Sequence, residues 1–83
     1  MMDVTPLASL MPGQAGVISE LHGDDSLRVR LMEMGLIRGE TVHVLKYAPL
    51  GDPVELDIAG YHLSIRKGDA QRILVSPTGQ PAR

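Results

Sequence analysis

The chain has 83 residues, a formal net charge of −2, three histidines and no cysteine. A chain of that length makes one domain and buries only about 60% of the surface its unfolded form exposes, so modest stability is expected. The composition excludes a disulfide framework and a thiolate metal site, fits a reducing compartment, and supplies no excess of cations for a phosphate backbone. Phenylalanine and tryptophan are absent, leaving Tyr47 and Tyr61 as the only rings besides histidine that could stack on bases. No nucleic-acid partner is expected. Charged and turn residues interrupt every apolar run well short of the roughly 20 residues a spanning helix needs, which argues against direct membrane insertion. Met1-Met2-Asp3 places an acid where an export signal carries lysine or arginine. A cytoplasmic protein is the expectation.

In chain order, Thr5-Pro6 has the pattern of a helix cap followed by proline at the first helical position. Leu7 to Leu10 is then one helical turn, ended by Met11-Pro12-Gly13. Gln14 to Leu21, bounded by Gly13 and Gly23 and containing Val17 and Ile18, is the first expected strand, with a bulge or bend at Gly16. Asp24, Asp25 and Ser26 offer acceptors and negative charge to free amides, so a helix begins there. It should stop at Gly35, a natural left-handed position, with Leu36 folding back on the last turn. At about 100° per residue, Leu27, Leu31 and Met34 share a core-facing arc of roughly 60°, and Val29 and Met32 point almost the opposite way.

Ile37-Arg38-Gly39-Glu40 turns into a second strand, Thr41 to Ala48, in which Val42, Val44 and Lys46 alternate with Thr41, His43, Leu45 and Tyr47. Val54, Leu56 and Ile58 alternate with Glu55 and Asp57 in a half-buried third strand. Ala59-Gly60 turns a tight hairpin into a fourth, Tyr61 to Arg66. Lys67 to Arg72 suits a short helical turn, and Ile73 to Val75 a last strand. Five short strands in a chain too small for two packed sheets predict a mainly β fold: a small five-stranded SH3-like barrel with an inserted α-helix at about residues 26–34. The domain is expected to span residues 1–76, with 77–83 as a flexible, Pro- and Gly-containing C-terminal tail.

The helix ending Arg30-Leu31-Met32-Glu33-Met34-Gly35-Leu36, the turn at Gly39, the loop Ala48-Pro49-Leu50-Gly51-Asp52-Pro53 and the segment Leu63-Ser64-Ile65-Arg66-Lys67 followed by Ala70 resemble the FeoA family. The resemblance runs from Leu7 to Val75 in the family's order and spacing, and the loop is its most specific element. Arg38 departs from it, because the family's turn usually carries proline before the glycine, so a looser turn is expected here. The resemblance implies an SH3-like protein of bacterial ferrous iron transport, cytoplasmic, whose partner is the cytoplasmic portion of a FeoB-type transporter. The same module in that family of folds also ends iron-dependent repressors, tethered there to a DNA-binding domain that this chain lacks.

Among the residues, Val29 and Met32 on the outer helix face, with Arg28 beside them and Pro49 and Leu50 in the loop, make a candidate partner-binding surface; packing of helix and loop on each other is the alternative. Arg28, Arg30, Arg38 and Arg66 raise a second idea, an arginine inserted into a GTPase site, against the commoner fate of solvated or locally paired arginines. His22, His43 and His62 form no recognised ligand spacing, so no metal site and no cofactor are expected within one chain. Zinc held between two copies, and with it a homodimer and a metal-responsive regulator, stays open. No glycine-flanked nucleophile, phosphate loop or paired carboxylates are present, and no enzyme activity is expected. A groove for proline-rich peptides needs aromatic rings that this chain lacks.

Overall fold

The computed structural model describes residues 3–78. Strands β1 (Thr5–Pro6), β2 (Ala15–Leu21), β3 (Thr41–Tyr47), β4 (Val54–Ile58), β5 (Tyr61–Ile65) and β6 (Ile73–Pro77) form one sheet in the order β1-β6-β2-β3-β4-β5. Every pairing in it is antiparallel. Helix α1 (Asp25–Glu33) is inserted between β2 and β3, and the one-turn helix α2 (Lys67–Ala70) between β5 and β6. This is the mainly β, SH3-like architecture with an inserted helix, carrying one strand more than the sequence pattern shows. The extra strand is β1. Thr5 caps nothing: it pairs with Val75, and Pro6 with Leu74. A 3-10 turn, Leu7–Ser9, follows an extended Pro6 without a side-chain cap.

The core is a single cluster to which every element except β1 contributes. Val54, Leu56 and Ile58 of β4 are completely buried, and the intervening Glu55 and Asp57 are not. Leu7 from the 3-10 turn, Leu31 from α1, Ala70 from α2 and Ile73 and Val75 from β6 join them. Each Leu or Ile buried in this way stabilises the fold by about 2–3 kcal/mol relative to exposure.

β3 departs from simple alternation. Val44 pairs with Leu56 but Lys46 with Glu55, so Leu45 is the extra residue of a bulge. The bulge restores Tyr47 to the side of Val42 and Val44, where it is half-buried and its hydroxyl donates to the carbonyls of Leu10 (2.6 Å) and Ala8 (3.0 Å). The bulge in β2 lies between Ile18 and Glu20, not at Gly16. Gly16 serves close approach instead, since a Cβ there would stand 2.8 Å from a Val75 methyl.

α1 begins and ends as its sequence dictates. Asp24 is extended, and its Oδ1 accepts the amide of Leu27 at 2.8 Å. At the other end Gly35 has φ 98°, its amide donates to Met32 O, and the amide of Leu36 donates to Leu31 O. Both bonds and the buried Leu31 and Leu36 together complete a Schellman stop. Glycine is required twice over, because a Cβ at position 35 would run into the Tyr61 hydroxyl, which donates to Met34 O at 3.0 Å.

The Ile37–Glu40 turn is held without proline. Gly39 N donates to Ile18 O (2.8 Å), Ile18 N to Glu40 O (2.9 Å), and Arg38 Nε to Ser19 O (3.1 Å), which together stitch the turn to β2. At the far end Pro77 lies within β6, opposite Gly16, although its composition suits a tail, and Thr78 N donates to Ala15 O. Residues 79–83 of the expected tail lie outside the described residues.

Candidate docking surface

α1 turns Leu31 into the core at 1% exposure and leaves Val29 at 48% and Met32 at 45%. Leu27 and Met34 are partly buried and pack against the core cluster. Met32 lines a concavity of about 280 Å³ with Leu21 and Glu20 of β2, Arg28 of the same helix and Arg38 of the turn. Its rim is charged. Arg28 reaches Asp25 one turn back on α1, Arg38 spends its Nε on Ser19 O, and Glu20 pairs with His22 at 2.8 Å. The hydrogen bond that fixes the turn thus also sets the Arg38 guanidinium beside Met32.

Leu50 is 96% exposed and Pro49 is exposed too, so neither is used in packing. Two backbone hydrogen bonds close their loop: Gly51 N donates to Ala48 O at 2.7 Å and Ala48 N to Pro53 O at 2.9 Å. Asp52 Oδ1 accepts the amide of Lys67 at 3.0 Å, which ties the loop to the start of α2. The concavity beside Met32 is lined by neither Pro49 nor Leu50. Arg28 and Met32 therefore share one hollow, Val29 is exposed on the same helix outside its lining, and Pro49 and Leu50 form a separate apolar tip. Sequence reasoning missed the contributions of Glu20 and Leu21, which lie at the end of β2 and line the hollow from the strand beside α1.

The remaining candidates are scattered. Arg30 lies 3.6 Å from Asp69. His22 meets Glu20 rather than Asp24 or Asp25, His62 lies 3.9 Å from Asp57, and His43 is half-buried on β3. Among the described residues no three or more His, Asp or Glu converge as metal ligands, and no polar or charged side chain is fully buried. Burial pushes the Tyr47 hydroxyl above its ordinary pKa of 10.0, but that group serves the fold. The charged groups of this surface are exposed to solvent. No helix among the described residues is long and apolar enough to cross a membrane.

The sheet order and inserted helix define a small SH3-like β domain with apolar side chains left on its outer helix face. The chain belongs to the FeoA domain family, which it matches over residues 5–77. It is 41% identical over 69 residues to the Fe(2+) transport protein A/Fe(2+) transporter FeoB fusion protein of Porphyromonas gingivalis, a match over 83% of this chain. The chain spans only 8% of that relative's length. Among solved structures it is similar to a FeoA-like protein from Clostridium acetobutylicum, with 29% identity, TM-score 0.88, and coverage of 100% of this chain and 96% of the other. A zinc complex of the FeoA of Stenotrophomonas maltophilia, described as a prokaryotic SH3 domain protein, matches with 26% identity, TM-score 0.72, and coverage of 84% and 87%.

Proposed function

We propose that this protein is a non-enzymatic, cytoplasmic accessory factor of bacterial ferrous iron uptake that binds a FeoB-type transporter and modulates its GTPase or transport activity. The observation that carries the reading is the Porphyromonas gingivalis relative, whose description joins transport protein A and FeoB in one polypeptide. The Stenotrophomonas maltophilia neighbour, described as a candidate activating factor of ferrous iron transport, supports the same direction. The contact is assigned to Arg28, Val29 and Met32 on α1, with Pro49 and Leu50 as a second apolar point. Met32 suits the task because an unbranched thioether adapts to an irregular pocket. Covering the 45% of Met32 that is exposed contributes about 1 kcal/mol, a factor of roughly five to ten in affinity.

The test is capture of the transporter's cytoplasmic portion by the wild type, Met32→Asp and Leu50→Asp, each first shown to be folded by its thermal transition. Met32→Asp should lower capture at least about tenfold, because it removes the apolar contact and buries a carboxylate in its place. Undiminished capture by both folded variants removes these residues from the interface, and no capture by the wild type removes the partner.

A further inference from the structure

β5 carries an open hydrogen-bonding edge. Ala59 (φ 52°) and Gly60 (φ 88°) are both left-handed, which makes the β4–β5 connection a two-residue type I′ hairpin. Its closing pair, Ile58 and Tyr61, exchanges both backbone bonds, and the unbroken register gives the same role to Leu56–Leu63 and Val54–Ile65. Tyr61, Leu63 and Ile65 therefore spend their backbone groups on β4. His62 and Ser64 point theirs the other way, where the sheet has no further strand.

Nothing in β5 blunts this edge. Exposed edges are usually protected by proline, charge or a bulge. The opposite edge, β1, is two residues long and includes Pro6, which has no amide to give. Tyr61 to Ile65 contains no proline and no Lys, Arg, Asp or Glu, and its register has no shift. The edge opens onto a cleft of about 350 Å³ between β5 and α1, lined by Arg30, Met34, Ser64, Ile65, Arg66 and Asp69 among others. Ser64 and Ile65 point to opposite faces of the strand, so a cleft that both line meets the strand at its edge.

We infer that β5 accepts an extended, acidic segment of the transporter as a seventh strand, seated in the cleft between β5 and α1. The identity of the partner rests on the proposed function; the mode and the chemistry rest on the edge. Main-chain bonds to His62 and Ser64 supply the pairing, as in strand addition to other open sheets. Charge selects the segment. Two guanidinium groups and one carboxylate line the cleft, and Asp69 is engaged by Arg30. Among the described residues no ion pair holds Arg66, which leaves it for an acidic side chain of the added strand, with Met34 to receive an apolar one.

The experiment is hydrogen–deuterium exchange of the full chain, alone and with the detergent-solubilised cognate FeoB-type transporter, combined with capture by Arg66→Glu and Ser64→Pro. Exchange at His62 and Ser64 should slow at least about tenfold in the complex. Arg66→Glu should weaken capture about fivefold, and Ser64→Pro, which removes an amide the β4 ladder does not use, should abolish it. Arg66→Glu keeps the test alive if Ser64→Pro does not fold. Capture of the transporter with His62 and Ser64 exchanging at their free rate overturns this inference and leaves the proposed function standing. Absence of capture by the wild type overturns both. Slowing that grows with the concentration of the chain alone places a second copy on the edge, and overturns the assignment to the transporter.

Discussion

Gly35→Ala isolates the joint between α1 and β5. The backbone there has φ 98°, a conformation that costs an L-residue about 1–2 kcal/mol. The added methyl also collides with the Tyr61 hydroxyl, and displacing that ring forfeits its bond to Met34 O, worth about 1 kcal/mol. The sum is about 2–3 kcal/mol, which in a domain of this size lowers the melting temperature by about 10–20 °C. The two contributions are separable by a cycle with Tyr61→Phe, which removes the colliding oxygen and keeps the ring. In that background Gly35→Ala should cost only its backbone part, giving a coupling of about 1 kcal/mol between the sites. Thermal denaturation of the four proteins, followed by circular dichroism, measures it. Equal cost of Gly35→Ala in both backgrounds would falsify the steric argument, and a neutral Gly35→Ala would remove the glycine stop as the reason α1 ends where it does.

Leu31→Asp places a carboxylate at a site 1% exposed and should leave the domain unfolded at 25 °C, whereas Leu31→Ala should cost about 3 kcal/mol by chemical denaturation. Asp24→Ala removes the acceptor of the Leu27 amide and should lower stability by about 1 kcal/mol without changing the far-UV spectrum. The raised pKa of Tyr47 makes the folded form hold its proton where the unfolded chain has lost it. Its contribution is therefore whole below pH 10 and is lost as pH rises through the higher folded value. Tyr47→Phe should flatten that alkaline decline and cost about 1 kcal/mol at neutral pH; a decline identical in the variant assigns the titration elsewhere. Micromolar zinc should leave the sedimentation of the chain unchanged, because the three histidines each lie with at most one carboxylate and a metal needs several convergent ligands.

Local signals carried much of the fold. β4 was legible because its alternation is unbroken, and the ends of α1 because Asp24 and Gly35 do their work within a few residues of themselves. β3 was legible only as far as Val44: a bulge is a property of two strands in register, and Leu45 says nothing of its partner. β1 was invisible, since two residues have no period and Thr5-Pro6 satisfies the rules for a cap as well as for an edge. The outward direction of Val29 and Met32 followed from helix geometry. Their neighbours did not, because Glu20, Leu21 and Arg38 reach Met32 through the folding of β2 against the turn. The loop around Leu50 stands apart from that hollow for an equally non-local reason, the bond from Lys67 N to Asp52.

The pairing of Thr5 with Val75 brings the beginning and the finish of the domain to neighbouring points, about 5 Å from strand to strand. Polypeptide joined ahead of Thr5 or behind Thr78 therefore departs from adjacent strands, at points about 10 Å apart. An appended protein pulls on β1 and β6 and leaves the β4–β5 hairpin unloaded. Such a unit can be spliced to either side of a larger machine without its interior being rebuilt.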